Sequence, residues 1–224
     1  MTKTYGRSRD RVIRWPDDAT AQQALERYLD KLSAESPSTL SIDSLLPADG
    51  LNLTGADLSG LQFQEAAFNE ADLSGVRLVE ADLYQAWMIS ANLTNADLTR
   101  ADVRKAQGRG AKAIGAIFRE SQLQGATFEG ADFRGADLRG ANLLDASFPG
   151  ADLRGANLSG CNFGWTDFSD SRLGECVVAD AVGMVLGPID IGSTTAQLLG
   201  GPALKAWFTD NGAPEVEIYL PQSD

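Results

Sequence analysis

The chain has 224 residues and carries 31 acidic against 19 basic side chains, a formal net charge of −12, with no histidine and two cysteines. That balance disfavours direct binding of nucleic acid, whose footprint is basic. Without histidine, and with cysteines outside any ligand spacing, no metal site and no histidine-based catalysis is expected. The length suits one or two domains. No apolar run is long enough to span a bilayer and the N-terminus does not resemble a leader, so a cytoplasmic protein without membrane contact is expected.

Residues 1–50 have a composition of their own. "RVIRWP", residues 11–16, suits a short strand, and Ala21, Ala24, Leu25, Tyr28, Leu29 and Leu32 form one apolar stripe of a helix beginning after Asp17 and Asp18. From residue 51 to 182 a five-residue phrase takes over: a small residue, Asp or Asn, Leu or Phe, then two variable positions. Steps of five from Leu53 meet Leu58, Phe63, Phe68 and Leu73, and onward to Phe168, Leu173 and Val178 without a slip of phase.

A helix turns about 100° per residue, so five steps spread the Leu/Phe series around every face. A straight strand fails as well, because an odd period points alternate repeats to opposite faces. The chain must therefore bend once per repeat, and successive bends wind a coil whose turns bury Leu/Phe and Ala against one another. Glycine recurs at the fifth position, as in Gly55, Gly60, Gly130 and Gly150, which suits a tight corner.

The phrases "ADLSG", "ADLRG", "ANLSG" and "ADFRG" resemble the A(D/N)LXX signature of pentapeptide-repeat proteins, over about residues 51–182. The resemblance implies an all-β solenoid, a right-handed quadrilateral parallel β-helix with four repeats per coil. Residues twenty apart would then stack, giving a column of Phe128, Phe148 and Phe168 and another of Leu58, Leu78, Leu98, Phe118, Leu138 and Leu158. At about 4.8 Å per coil the rod would be on the order of 30 Å long.

One stretch departs from the pattern. "RKAQGRGAKAIG", Arg104 to Gly115, puts Gly108 and Ala113 where Leu or Phe belongs. It is expected to be either a degenerate, weakly packed coil or a kink in the rod, or a projecting basic loop carrying Arg104, Lys105, Arg109 and Lys112. Residues 183–224 again differ in composition. Ser193 suits the start of a short helix ending at Gly200 and Gly201, Pro202 opens a second one carrying Leu204, Trp207 and Phe208 up to Asn211 and Gly212, and "EVEIYL" alternates like a strand. Both terminal segments are expected to cap the open ends of the coil. By resemblance to topoisomerase-binding family members, the C-terminal one is also a candidate homodimer interface.

The carboxylates do not compose a catalytic pair, since Asp57, Asp72, Asp97, Asp132, Asp137 and Asp152 all occupy the repeat position before the central Leu/Phe. There a short polar side chain points outward and bonds local backbone. No phosphate loop, nucleophile set or cofactor motif is present, and Cys161 and Cys176 fall on inward small positions. The expectation is a non-catalytic solenoid without a cofactor that binds a protein.

Two partner classes follow. Some family members resemble B-form DNA and bind DNA gyrase or topoisomerase IV, protecting it from quinolones; the resemblance implies an acidic stripe of Asp57, Asp72, Asp97, Asp132, Asp137 and Asp152 as the binding surface. Residues 51–180 hold 18 acidic and 11 basic side chains, a net of −7 (18 minus 11), whereas duplex DNA would carry about 18 charges over 30 Å. Arg119, Arg134, Arg139 and Arg154 also sit beside the aspartates. The alternative is an immunity protein that neutralises a cognate toxin or nuclease, as the resemblance also allows, with Tyr84, Trp87, Ile89 and Trp165 as outward apolar anchors and Arg104, Arg109 and Lys112 as a basic loop. Burial of Tyr84 and Trp87 beneath the N-terminal helix competes with that role. A scaffold in signalling is a third class with no feature of its own.

Overall fold

The computed structural model describes residues 4–35 and 45–219. From Pro47 to Val182 the backbone meets itself at a constant separation of twenty residues. Asn52 bridges Asp72, Asp57 bridges Arg77, Gln62 bridges Asp82 and Ala67 bridges Trp87, and each of these four series continues in parallel along the chain. Four repeats therefore make one coil, and the coils stack into a β-solenoid. Each repeat repeats the same bonds: the Phe148 N–H donates to the Asp167 carbonyl at 2.7 Å, the Asp167 N–H to Ala146 at 2.9 Å, and the Ala151 N–H closes the corner on Phe148 at 3.0 Å.

The corners explain the fifth position. Every fifth residue from Gly50 to Asp180 has φ between +56° and +77°, whether it is glycine or, as at Glu65, Asn95 and Asp145, not. A turn whose third residue must be left-handed is what forces the bend once per repeat. Glycine adopts that backbone without strain, which is why it recurs there.

Two positions per repeat point inward, in most repeats one small and one large, and both are buried from Leu53 to Ala181. The expected phenylalanine column is present: the Phe128 and Phe148 rings stack at 5.6 Å, and Phe148 and Phe168 at 5.6 Å. The Arg104–Gly115 stretch is not a projecting loop. Trp87 bridges Gln107, Asn92 bridges Lys112, and both partners bridge onward to Thr127 and Asp132, so no residue is extruded and the columns keep their register. Nor is the coil loosely filled. Phe118, Phe128 and Phe133 converge there, Phe128 lying 5.1 Å from Phe133 and Phe118 5.5 Å from Phe133, and the Phe128 ring occupies the space that a side chain at Gly108 would take.

The N-terminal end is closed in two ways. The expected strand at 11–16 is reduced to one antiparallel bridge, Arg14 to Asp57, while Gly6 pairs in parallel with Leu61. Helix α1, Ala19–Ala34, begins where Asp18 accepts the Ala21 N–H at 2.8 Å. It buries Ala21, Leu25, Tyr28, Leu29 and Leu32, and the Tyr28 ring lies 6.0 Å from Phe63 with its hydroxyl donating to the Gln62 carbonyl at 2.6 Å. Unpaired strand edge and exposed core are thus covered together.

At the other end β1 (Thr166–Asp167), β2 (Gly183–Leu186) and β5 (Val216–Ile218) form a parallel sheet in the order β1-β2-β5. The helix expected from Ser193 is absent; its place is taken by an antiparallel hairpin of β3 (Ile189–Asp190) and β4 (Leu198–Leu199). Turn chemistry overrides the helix start here. The Asp190 carboxylate accepts the Gly192 and Gln197 N–H groups at 2.9 and 2.7 Å, and a Cβ at Gly192 would lie 1.9 Å from the Thr195 carbonyl oxygen. The second expected helix is present as α2, Gly201–Asp210, with Pro202 in its first turn. Its Leu204 and Phe208 are buried, and Phe208 closes the core 6.1 Å from Phe163.

Candidate functional site: the sides of the solenoid

Outward chemistry follows from the coil. The residue before each central Leu/Phe lies on a flat side, and the twenty-residue step sorts these positions into four columns. Asp57, Asp97 and Asp137 share one column, interrupted by Arg77 and Ile117; Asp72, Asp132 and Asp152 share the next, interrupted by Asn92 and Lys112. Each aspartate also bonds its own turn, as where Asp72 accepts the Ser74 N–H at 3.0 Å and Asp97 the Thr99 N–H at 3.1 Å.

Most of this negative charge is answered locally. Arg134 grips Asp132 through Nε and Nη2 at 2.9 and 2.7 Å, Arg139 grips Asp137 at 2.9 and 2.8 Å, and Arg154 grips Asp152 at 2.8 and 2.6 Å. Arg119 adds a second bond to Asp137 at 2.6 Å, and Arg77 spans Asp57 and Asp97 at 3.0 and 3.4 Å. The Arg139 and Arg119 hydrogen bonds hold the Asp137 carboxyl down at about 2, against burial that acts the other way. Asp72, which accepts Asn92 Nδ2 at 3.0 Å, is the member of the predicted stripe with no arginine on it. The six aspartates are brought onto two neighbouring columns but not into an uncompensated stripe.

The aromatic and basic residues divide differently. Trp87 stands 47 % exposed in the column Pro47, Ala67, Trp87, Gln107, Thr127, Ser147, where no charge occurs until Asp167. It does not lie beneath α1, which sits over the end of the rod at Gln62 and Phe63. Tyr84 is half-buried at the preceding corner under Arg104 and Lys105, whose charged groups lie 5.5 and 5.8 Å from its ring centre. Ile89 follows Trp87 at the next corner and is half-buried; Arg109 stacks one coil on from it and Lys112 one coil on from Asn92. Trp165 occupies a left-handed corner, φ +69°, further along the rod, and packs against Tyr219 at 5.2 Å, so it belongs to the C-terminal cap and not to the Trp87 surface.

Arg104 is bound to Asp102 through Nε and Nη2 at 2.8 and 2.6 Å and is not a free member of the basic set. The pairs formed by Arg77, Arg100, Arg104, Arg119, Arg134, Arg139, Arg154 and Arg172 leave Lys105, Arg109 and Lys112 as the solenoid cations, within residues 51–180, that carry no ion pair. The sequence places Lys105 in the same basic stretch as Arg104, Arg109 and Lys112. Its place one coil from Gln85 and beside Gln107 follows from the same twenty-residue step that sorted the aspartates.

Cys161 and Cys176 are buried, and burial pushes both thiols up to about 12. The Cys161 Sγ lies 3.1 Å from the Leu138 carbonyl as a donor. Neither is a nucleophile at neutral pH. Among the described residues no group of three His, Cys, Asp or Glu side chains is placed to hold a metal, and no helix is long and apolar enough to cross a membrane.

The family profile described as pentapeptide repeats matches residues 48–75, 77–107, 109–140 and 136–174, eight copies in all. The chain belongs to the pentapeptide-repeat family. Among solved structures, the pentapeptide-repeat fold here is similar to HetL of the cyanobacterium Nostoc sp. strain PCC 7120, a pentapeptide-repeat protein involved in heterocyst differentiation regulation. That match has 22% identity, covers 78% of this chain and 87% of that one, and has a TM-score of 0.50. QnrB1, a plasmid-mediated fluoroquinolone resistance protein, matches at 18% identity over 73% of this chain and 77% of its own, with a TM-score of 0.56. No curated protein sequence matches the chain. At such identities the likeness is one of fold.

Proposed function

We propose that this pentapeptide-repeat protein is a non-catalytic inhibitor or protector that binds a protein partner along the sides of a right-handed quadrilateral β-helix. It uses a mixed apolar and charged interface rather than a duplex-like acidic stripe. The observation that carries this reading is the pairing of Asp57, Asp97, Asp132, Asp137 and Asp152 with arginines of the same or neighbouring coils. A DNA mimic works through uncompensated phosphate-like charge, and a carboxylate already gripped by a guanidinium has little of that left to offer. The immunity-type reading is favoured by Trp87, whose ring stands exposed where the repeat normally places Asp or Asn.

A topoisomerase partner remains the second reading, supported by the rod's net acidity and by the solenoid fold shared with the fluoroquinolone resistance protein. Homodimerisation is proposed through the C-terminal cap, where Trp165, Val182, Leu198 and Tyr219 are exposed. Capture from lysate on the immobilised full chain, washed at low and then high salt, tests the reading. Recovery of a salt-resistant protein partner is the expected result, elution of gyrase or topoisomerase IV subunits by salt would favour mimicry, and recovery of no protein at either salt would end the binding reading.

A further inference from the structure

The side of the rod centred on Trp87 has a composition of its own. From Pro47 to Ser147 its outward column carries no charged residue, while the neighbouring columns carry Asp82 and Asp102 on one side and Asp72, Lys112, Asp132 and Asp152 on the other. The coil immediately beyond Trp87 holds Lys105 and Arg109 on the two corners that flank Gln107, and Lys112 on the next side, and none of the three forms an ion pair. In a chain of net charge −12, where the remaining solenoid cations are matched to carboxylates, these three lie within one coil and beside an exposed indole.

An aromatic centre with an arginine-containing rim is the anatomy of a protein interface. The geometry points to a docking site for a short acidic segment of a partner protein: one apolar side chain seated on Trp87 and Ile89, and flanking Asp or Glu side chains paired with Lys105, Arg109 and Lys112. The basic zone is a single coil deep, about 5 Å along the rod axis. Glu70 lies on the corner before Ile89 and Glu129 stacks beyond Arg109. A long polyanion laid across the site would therefore meet carboxylates on both sides, whereas a few side-chain charges on a peptide would not. This inference rests on the protein-binding reading and gives that partner its chemistry.

Panning a phage-displayed random peptide library on the full chain, with counter-selection on the Arg109→Glu/Lys112→Glu variant, tests it. Enriched peptides are expected to combine an aromatic or aliphatic residue with flanking Asp or Glu, to lose about tenfold in affinity on Trp87→Ala, and to weaken with salt. Trp87 and the two cations are exposed, so circular dichroism and the urea midpoint should be unchanged in the variants, and binding loss then reports the surface. Enriched peptides without acidic residues, equal binding to the variants, or displacement of the peptides by a dT oligonucleotide that binds more tightly would each overturn the site. If the lysate partner of the wild-type chain also binds Trp87→Ala and the charge-reversed variant equally, this site falls while the protein-binding reading stands; if the chain captures neither peptide nor partner, both fall.

Discussion

Gly108 and Phe128 are complementary neighbours in one column: a Cβ placed on Gly108 would lie 2.2 Å from Cε1 of the Phe128 ring, so the ring of one coil fills the place of the missing side chain in the coil before it. A departure from the repeat is thereby matched by a large residue twenty positions on.

Gly108→Leu, which restores the repeat consensus, is expected to destabilise the protein, because overpacking a filled core costs about 1–3 kcal/mol. Urea titration should show the loss. Adding Phe128→Leu should recover much of it, and a consensus leucine that stabilised the chain on its own would contradict the assignment.

Phe148→Ala removes the middle ring of the Phe128–Phe148–Phe168 stack. A cost of about 3–5 kcal/mol is expected from the lost burial and the cavity left behind. An unchanged urea midpoint would be incompatible with that stack.

The Asp137 carboxyl is depressed in the folded state by its bonds to Arg139 and Arg119. Its stabilising contribution is therefore complete above the ordinary value of 3.8 and is lost as pH falls toward about 2. In midpoints measured from about pH 5 down to about pH 2, the gap between wild type and Asp137→Asn should narrow. The gap should be small and reduced by salt, since the arginines are half-exposed. A gap that widened on acidification would show the sign to be wrong.

Buried thiols held up at about 12 should be silent to a thiol-reactive disulfide reagent at neutral pH. Both Cys161 and Cys176 are expected to react only in denaturant, with rates that follow unfolding. Rapid reaction of either in the native protein would show that the C-terminal coils open locally.

The five-residue phase was legible because two inward positions per repeat leave a fixed mark on the sequence, and α1 because Asp18 and its apolar stripe obey helix rules. The β3–β4 hairpin was not, since the bonds from Gly192 and Gln197 to Asp190 span a turn whose closure depends on three-dimensional approach. The closure of the Arg104–Gly115 coil was hidden for a related reason. Gly108 and Ala113 look like defects until read against Phe128 and Phe133 twenty positions later. For the surface, residue types were visible but pairing was not: Arg104 counted as a free cation until Asp102 was seen beside it.

The unbroken twenty-residue register also constrains how such a chain can change length. Removing or duplicating twenty residues returns every column to its place and alters only the height of the rod. Removing five keeps the core alternation but turns everything beyond it by one side, so that the Trp87 face would continue into what is now a neighbouring column. A number that is not a multiple of five puts outward residues inside. Lineages of this protein are thus free to lengthen or shorten in whole coils, and to re-aim one half of the surface against the other in single repeats.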